Sequence, residues 1–374
     1  MASLPVLVPS AKQSPSADAS PSEQKRRAAR PGAGPGLFSI QPGIQPPPSG
    51  GLVGIARLAA EGEPIREGHN VEYFTIATRS ILNRCSAPYM PFQWTINPYR
   101  GCEFACKYCY ARYTHEFMEM RNGADFERRI YVKQNVAEQL RHDLKQARPG
   151  EMIAIGTATD PYQPAERRYQ VTRAILQEFT HHLGLEIAIV TKSNLVLRDV
   201  DLLRRIAQHN RLTVNLTITT LDRQLARVLE PRAPRPDLRL EAVRTLTRYG
   251  LDTGISCAPV IPGITDSMRN LDALVAAAKE AGARHIFANP LFLKPCSAAI
   301  FLPFLEREFP ALVESYRRRY QERAFVPAAY RKRISQMMSA LRRKHGMLSR
   351  EERRNAKPPA PAEAQAPEQM WMFG

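Results

Sequence analysis

The chain has 374 residues, of which 44% are hydrophobic and six are cysteines, and its formal net charge is +17 at pH 7. No uncharged apolar run approaches the roughly 20 residues that span a membrane, the first residues lack the pattern of a secretory signal, and the cysteines are too sparse for a disulfide scaffold. The sequence therefore predicts a cytoplasmic protein with no membrane partner, large enough for one α/β domain with appendages.

Composition divides the chain into five segments. Residues 1–50 are rich in Pro, Ser, Gly and Ala and, like residues 355–374, are predicted to be disordered tails. Residues 51–90 are predicted to be an N-terminal lead-in, residues 91–306 the core, and residues 307–354 a basic helical extension.

Much of the positive charge lies near the C-terminus. Residues 311–357 contain 14 Lys and Arg against four Asp and Glu. Such a segment favours an anionic partner, and nucleic acid is the usual one. A solvated helix face, or an arginine-rich composition without a partner, would give the same pattern.

Between the tails, short apolar runs alternate with amphipathic stretches. The apolar runs predict strands at Trp94–Asn97, Met152–Thr157, Glu186–Thr191, Leu212–Thr219, Asp252–Pro259 and His285–Asn289. The amphipathic stretches predict helices at about Val136–Gln146, Thr172–His182, Val200–His209, Asp237–Tyr249 and Ser267–Ala281. This alternation indicates parallel β/α units with right-handed crossovers. The predicted fold is α/β, a partial (β/α)6 TIM-like barrel, in which reactive groups collect where the strands end.

Three cysteines follow the first predicted strand at the spacing C-x3-C-x2-C, at Cys102, Cys106 and Cys109. Three closely spaced thiolates can hold three irons of a four-iron cluster and leave the fourth iron open to a reactant. A closed zinc site is the alternative, with His115, six residues past the last cysteine, as the fourth ligand.

This motif and the segments after the later strands resemble those of the radical S-adenosylmethionine (radical SAM) superfamily, and more narrowly its spore photoproduct lyase-related branch. The matching stretches are Asn97–Cys102 (NPYRGC), Gly156–Glu166 (GTATDPYQPAE), Val190–Ser193 (VTKS), Leu229–Pro234 (LEPRAP) and Ala258–Gly263 (APVIPG), within about residues 80–290. The resemblance implies a (β/α)6 core and a [4Fe–4S] cluster on the three cysteines. It also implies reductive cleavage of SAM to a 5′-deoxyadenosyl radical that abstracts hydrogen from a substrate.

The resemblance further implies which residues contact SAM. Tyr108 would pack on the adenine, and Lys192, Thr217 and Ala258, at later strand ends, would make further contacts. Asp160 could accept hydrogen bonds from the SAM ammonium group or from substrate. Simpler roles stay open, with Tyr108 as a shield for the cluster, Lys192 as a surface residue, Asp160 as a turn cap and Thr217 as a good strand former.

One position departs from the branch. The lyase has a hydrogen-donating cysteine where this chain has Thr157, and a threonine hydroxyl is a poor hydrogen-atom donor. Repair of thymine photoproducts by the lyase's own route is therefore not expected. Tyr99, Tyr110 and Tyr162 are other redox-capable residues near the strand ends, and the sequence does not select among them.

Together these features predict a radical SAM enzyme that takes electrons from a reductant such as flavodoxin or ferredoxin. Its substrate is unknown, and the basic C-terminal segment makes nucleic acid a candidate. Two alternatives stay open. One is a radical SAM enzyme that acts on a protein or small molecule, and the other is a non-catalytic nucleic-acid-binding protein with a structural zinc or iron–sulfur site.

Overall fold

The computed structural model describes residues 52–68, 70–87, 90–120, 122–321, 323–348 and 352. The strands are β1 (Pro64–Gly68), β2 (Val71–Ile76), β3 (Leu82–Arg84), β4 (Trp94–Ile96), β5 (Tyr99–Arg100), β6 (Arg129–Lys133), β7 (Met152–Ile155), β8 (Glu186–Thr191), β9 (Arg211–Thr217), β10 (Asp252–Val260) and β11 (His285–Pro290). The predicted disordered tails, residues 1–50 and 355–374, lie outside the described residues.

Helices connect and cover these strands. They are α1 (Gly54–Ala60), α2 (Tyr113–Glu116), α3 (Asp125–Arg128), α4 (Val136–Asp143), α5 (Glu166–Tyr169), α6 (Val171–Phe179), α7 (Val200–His209), α8 (Arg223–Leu229), α9 (Pro236–Arg248), α10 (Met268–Glu280), α11 (Pro295–Glu308), α12 (Val313–Tyr320) and α13 (Ala328–Lys344). Short 3₁₀ helices lie at Tyr110–Arg112, Leu144–Gln146, Asn194–Asp199 and Pro310–Leu312. None of the described helices has the length and apolar character needed to cross a bilayer.

The main sheet of the described residues has seven strands in the order β11-β10-β9-β8-β7-β4-β3. From β4 to β11 every pair of neighbours is parallel, and β3 joins the outer edge of β4 antiparallel. Parallel strands need helices on the sheet faces, which explains why their residues are apolar on both sides. The predicted partial (β/α)6 barrel is confirmed, although strands β7 and β9 end two residues earlier than predicted.

A second sheet of four strands, in the order β1-β2-β6-β5, was not predicted. It joins the lead-in segment to the residues directly before the cysteine motif, because β2 pairs parallel with β6 and β5 pairs antiparallel with β6. One of its faces, which carries Tyr99, Ile130 and Val132, packs into the main core. The other face carries Ile76 and Tyr131, which pack in a separate small cluster with Ala59 of α1.

The basic C-terminal segment forms helices α12 and α13. In α13, Ile334, Met338 and Leu341 are buried in the main core, and this helix packs against β11 and α10. The apolar residues of α13 recur at helical spacing, and five of its six cations are exposed. The sixth, Arg342, is half-buried and donates to the Ile286 carbonyl at 3.4 Å. The boundary drawn between the core and this extension stays a prediction.

Candidate active site

The cysteine loop begins at a glycine that no other residue can replace without a backbone shift. Gly101 has φ +81, and a Cβ atom there would lie 2.7 Å from the Arg129 carbonyl oxygen and 2.8 Å from that of Phe126. The next amide, of Cys102, donates to the same Phe126 carbonyl at 2.9 Å. The chain therefore turns sharply out of β5 and directs the first cysteine toward the ends of the barrel strands.

The segment that follows β7 holds this loop in place. The Gly101 carbonyl accepts hydrogen bonds from Thr159 Oγ1 at 2.6 Å and from Gln163 Nε2 at 3.1 Å. The buried Glu103 carboxylate accepts from Tyr73 Oη at 2.8 Å and from the Ala165 amide at 2.7 Å. The stretch Gly156–Glu166, one of those that resemble the family in sequence, therefore holds the cysteine loop in position through hydrogen bonds.

Two further segments complete the support of the loop. The Lys107 amide donates to the Leu229 carbonyl at 2.9 Å, and the Arg232 amide donates to the Phe104 carbonyl at 3.3 Å. Ser297 Oγ, in the first turn of α11, donates to the Cys109 carbonyl at 2.9 Å. The loop is thus held by segments that follow β7, β9 and β11, which makes it a rigid platform.

The three cysteines lie close enough to influence each other's ionisation. Burial raises the pKa of Cys102 well above its ordinary value, and the nearby charges of Asp160, Cys106 and Cys109 raise it further. Burial also raises the pKa of Cys106 to about 12, against the opposing charge of Lys192. Thiols in this environment stay protonated unless a cationic group binds them, because metal ligation removes the proton.

The zinc alternative finds no support in this geometry. His115 is buried, its Nε2 lies 3.1 Å from the Arg129 carbonyl oxygen, and its ring packs edge-on against Phe126. Within the described ranges, no three or more His, Cys, Asp and Glu side chains are arranged to hold one metal ion. A zinc ion would need such an arrangement, whereas a four-iron cluster takes each thiolate on a different iron.

A buried polar network, which we call the Glu230 network, lies beside the cysteines. Tyr108 Oη donates to Glu230, and Glu230 forms an ion pair with Arg239, with both charged side chains only 1% exposed. Arg239 Nη1 also donates to the Thr217 carbonyl at 2.9 Å, and Lys192 Nζ lies 5.7 Å from the centroid of the Tyr108 ring. Three of the residues predicted to contact SAM therefore share one network.

Charge in this network is balanced. Burial alone would raise the pKa of Glu230, but the charges of Arg239 and Lys192 and its hydrogen bonds hold that pKa below its ordinary value. Burial likewise disfavours the ammonium of Lys192, yet the charges of Cys106, Glu230 and Asp160 raise its pKa. Sequence reasoning missed Glu230 and Arg239, although Glu230 lies inside the characteristic stretch Leu229–Pro234.

Asp160 has a clear structural function. Its Oδ1 accepts from Thr191 Oγ1 at 2.6 Å and from the Tyr162 amide at 2.9 Å, and its Oδ2 accepts from the Lys192 amide at 2.7 Å. Burial raises the pKa of Asp160, against these hydrogen bonds. The carboxylate therefore ties the end of β7 to the end of β8, as the turn-cap alternative requires. A contact with SAM stays a prediction for this residue.

Thr217 and Ala258 lie at the ends of neighbouring strands. Thr217 is buried, closes β9 and pairs in register with Ser256 of β10, and Ala258 follows two residues later, before a cis peptide bond to Pro259. Since alternate strand residues point to one face, Ser256 and Ala258 share a side of the sheet with Thr217. Both predicted contacts thus occupy the same end of the barrel as the cysteine loop.

Thr157 also lies beside the cysteine loop. Asn97 Nδ2 donates to Thr157 Oγ1 at 3.3 Å, and Tyr110 Oη donates to the Thr157 carbonyl. Of the tyrosines that the sequence could not rank, Tyr99 and Tyr162 are 1% exposed and Tyr110 is 41% exposed. The structure therefore selects Tyr110 as the redox-capable tyrosine that an external molecule can reach.

Three aromatic side chains form what we call the aromatic rim, consisting of Tyr110, Phe292 and Phe325. The ring centroids of Tyr110 and Phe292 lie 6.4 Å apart, and those of Phe292 and Phe325 lie 4.5 Å apart. Phe325 is 49% exposed, although aromatic side chains are usually buried. The rim begins one residue after Cys109 and therefore borders the cysteine loop.

These residues fit the cofactors that the resemblance implies. The donor set is three neighbouring thiols on a rigid loop, and a cation, Lys192, stands beside Cys106 at the ends of the strands. An amino-acid carboxylate could pair with this ammonium group, while the Tyr108 phenol is already committed to Glu230.

Comparison with known proteins agrees with this arrangement. The family model of the radical SAM superfamily matches residues 96–275. An uncharacterised protein of Mycobacterium tuberculosis is 34% identical over 326 residues, covering 86% of this chain and 93% of that protein. The radical SAM Nalpha-GlyT isomerase of Pseudomonas phage M6 is 30% identical over 187 residues, covering 48% of this chain and 36% of the isomerase.

Solved structures share the fold. Spore photoproduct lyase complexed with dinucleoside spore photoproduct superposes with a TM-score of 0.55 at 16% identity, covering 73% of this chain and 79% of the lyase chain. At this identity the likeness concerns the fold alone.

Proposed function

This chain belongs to the radical SAM superfamily, and we propose that its substrate is an unpaired base of a nucleic acid, held at the aromatic rim. A [4Fe–4S] cluster and SAM are the cofactors of this enzyme, and the cluster requires an external reductant. A small electron carrier such as flavodoxin or ferredoxin is the proposed reductant. When reduced, the cluster supplies the electron that cleaves SAM to begin radical chemistry.

The chain's own residues have distinct tasks in this proposal. Cys102, Cys106 and Cys109 hold the cluster, and Lys192 pairs with the carboxylate of SAM. Tyr108 is fixed by Glu230, so that its ring stays in position against the adenine. The ends of β9 and β10, at Thr217 and Ala258, contact the rest of SAM, and Asp160 positions Lys192 through its backbone amide.

The observation that carries the proposal is the exposed aromatic rim directly beside the cysteine loop. Bases that leave a helix stack on aromatic side chains, and each stacked base contributes about 1–3 kcal/mol of binding free energy. A rim of three adjacent rings, with centroid separations of 6.4 Å and 4.5 Å, suits a flat aromatic substrate.

Three exposed cations lie near the rim residue Phe325 in the chain. Arg323, Arg331 and Lys332 are exposed, and among the described residues they form no ion pair. They lie on the chain close to Phe325, in the loop before α13 and in its first turn. Positive charge next to stacking rings is the combination found in proteins that bind single strands. The net charge of +17 agrees with this assignment.

Two of the compared proteins carry names that bear on the choice of substrate, and neither defines the reaction of this chain. The superposed lyase was solved with dinucleoside spore photoproduct, and the phage relative is named a Nalpha-GlyT isomerase. Thr157 stands in place of the lyase's donor cysteine, so the proposed chemistry on the base differs from the lyase reaction.

The test begins with anaerobic reconstitution and reduction of the cluster. SAM is added with and without a single-stranded oligonucleotide, and 5′-deoxyadenosine is measured by mass spectrometry. The oligonucleotide is expected to raise the rate of SAM cleavage, and Cys106→Ala should abolish both the cluster and the cleavage. In parallel, Phe325→Ala should weaken oligonucleotide binding by about tenfold, measured by fluorescence anisotropy, because one stacking ring is lost.

Tyr249→Ala serves as the matched aromatic control. Tyr249 follows α9 and precedes β10, so it lies at the opposite end of the barrel from the rim. Its loss should leave oligonucleotide affinity unchanged. Equal binding by Phe325→Ala and the wild type, or binding that does not weaken with added salt, would contradict a nucleic-acid substrate and favour a protein or small molecule.

A further inference from the structure

Two cationic side chains on the second sheet have no acidic partner. Lys133 ends β6 and Arg100 ends β5, two residues before Cys102. Within the described part of the chain, the Arg100 guanidinium and the Lys133 ammonium form no hydrogen bond and no ion pair. Natural proteins rarely bury charges in this way, because an unpaired buried ion is strongly unfavourable.

Strand register places the two cations on one face. Arg100 pairs with Tyr131 across β5 and β6, and Lys133 follows Tyr131 by two residues. Since alternate residues of a strand point to the same side, both cations share the face that carries Tyr131. This is the face turned away from the main core.

A third polar group, Thr78, follows the end of β2, which is the neighbour of β6 in this sheet. Ile76, at the end of β2, is the register partner of Lys133, and Thr78 follows it by two residues. Thr78 Oγ1 and Arg100 Nε are buried, and neither has a hydrogen-bond partner among the residues that the structure describes. Buried polar atoms without partners are uncommon in native proteins and call for an explanation such as a ligand.

The positive charge of Arg100 also disfavours the charged form of Lys133. Lys133 is only 8% exposed, and burial lowers its pKa to about 7, with a further contribution from the charge of Arg100. Of the acids nearest to Arg100 in the chain, Glu103 accepts hydrogen bonds from Tyr73 Oη and the Ala165 amide. Glu116 interacts with Lys294 and Cys296. Lys294 itself lies 3.8 Å from the Tyr113 ring centroid, which adds positive charge to this region.

We propose that Arg100, Lys133 and Thr78 form a binding site for a phosphoryl group. A guanidinium offers two parallel N–H donors that match two oxygens of a phosphate, an ammonium adds a point charge, and a hydroxyl adds one more donor. An oxyanion would supply the countercharge that both cations lack. No apolar ligand would do so, and a metal ion would be repelled.

The position of this phosphate site links it to the active site. Arg100 precedes Cys102 by two residues, and Gly101 joins them in a rigid turn. A polynucleotide whose base lies on the aromatic rim could place a backbone phosphate here. This identification of the phosphate with a polynucleotide rests on the proposed function, whereas the anion site rests on Arg100, Lys133 and Thr78 alone.

The first experiment asks whether the site binds an oxyanion. Sulfate and inorganic phosphate are titrated at constant ionic strength against reconstituted full-length protein, with calorimetry and thermal unfolding as readouts. Saturable binding that raises the unfolding temperature is expected. Lys133→Met and Arg100→Gln should each weaken it at least tenfold. Lys145→Met, the same change at an exposed position, should bind like the wild type.

A second readout separates a ligand site from a structural one. Without added anion, Lys133→Met should unfold at the same temperature as the wild type or higher, because it removes an unpaired buried charge. A large drop in that temperature would indicate that Lys133 is needed for folding and would overturn the proposal. Sulfate or phosphate binding by Lys133→Met with wild-type affinity, or no saturable binding by the wild type, would also overturn it.

The third experiment distinguishes the sources of the phosphate. Binding of a single-stranded oligonucleotide, thymidine 5′-monophosphate and thymidine is compared in the wild type and in Lys133→Met. A tenfold loss for the oligonucleotide in the variant, with competition by phosphate, supports a backbone phosphodiester. Anion binding that depends on Lys133, combined with an oligonucleotide affinity that does not, leaves the phosphate site intact and contradicts only the nucleic-acid substrate.

Discussion

Two buried charge clusters of this protein differ in how they are satisfied. In the Glu230 network, Glu230 and Arg239 form an ion pair. Glu230 also accepts from Tyr108 Oη, and Arg239 also donates to the Thr217 carbonyl. In the phosphate site, Arg100 and Lys133 stand side by side with no acid. The comparison shows that burial alone does not decide whether a charged side chain stabilises the fold or binds a ligand. A charge whose bonds are complete supports the scaffold, and one whose bonds are incomplete is available to a ligand.

The largest expected effect comes from breaking the completed cluster. Glu230→Ala should lower the free energy of unfolding by about 3–5 kcal/mol, because it leaves Arg239 buried without a countercharge. Urea unfolding followed by circular dichroism measures this. Glu241→Ala is the control, since Glu241 pairs with Arg244 at the surface and its loss should change stability by less than about 1 kcal/mol. Similar losses of stability in both variants would contradict the structural role of the buried Glu230–Arg239 pair.

A smaller effect is expected where the cysteine loop leaves the second sheet. Gly101→Ala should destabilise the loop by about 1–3 kcal/mol through its positive φ alone, and more through overlap with the Arg129 and Phe126 carbonyls. The iron content after reconstitution should fall. Gly150→Ala is a matched control, because Gly150 also has φ +81 but has open space around it. If both variants retain full iron content, the turn at Gly101 does not determine the cluster site.

Lys192, which lies beside the Tyr108 ring at the border of the Glu230 network, tests the proposed SAM site. The Lys192→Met variant should bind SAM about tenfold more weakly than the wild type, since one charge-assisted contact to the SAM carboxylate is lost. Iron content should not change, because Lys192 is not a cluster ligand. Equilibrium dialysis with labelled SAM, alongside Lys145→Met, measures the difference. Unchanged affinity would remove Lys192 from the SAM site.

The smallest expected effect is a pH dependence at the phosphate site. The pKa of Lys133 is lowered to about 7 in the folded chain, against an ordinary value of 10.5. Between these values the unfolded chain binds more protons than the folded chain, so the contribution of Lys133 to stability rises with pH. Below about pH 7 both forms are protonated and the full penalty of the buried charge applies. In chloride buffer, the Lys133→Met variant should therefore be more stable than the wild type, and this stability difference should be larger at pH 7 than at pH 9.

Unfolding midpoints of the two proteins, measured in urea at both pH values, give this difference. A stability difference that stays constant between pH 7 and pH 9 would mean that Lys133 is charged throughout, with a partner in the folded chain. Adding sulfate, whose charge does not change over this range, should narrow the difference by stabilising the charged form of Lys133 in the wild type alone.

Local patterns predicted much of the fold. The strands β4 and β7–β11 appear in the sequence as short apolar runs between amphipathic stretches, and such patterns depend on neighbouring residues only. Helix α7 begins and ends at the predicted residues, Val200 and His209. The second sheet escaped prediction because β5 has only two residues, and the apolar residues of β6 are three, enclosed between Arg129 and Lys133.

The sequence by itself determined the barrel, the cysteine motif and the family, because each is encoded within a short stretch of chain. Tertiary structure decided the charge clusters. Tyr108 and Glu230 are 122 residues apart, and Arg100 meets Lys133 only through the register of β5 and β6. Whether a buried charge has a partner depends on which distant segments fold against it, and no local pattern of residues records that.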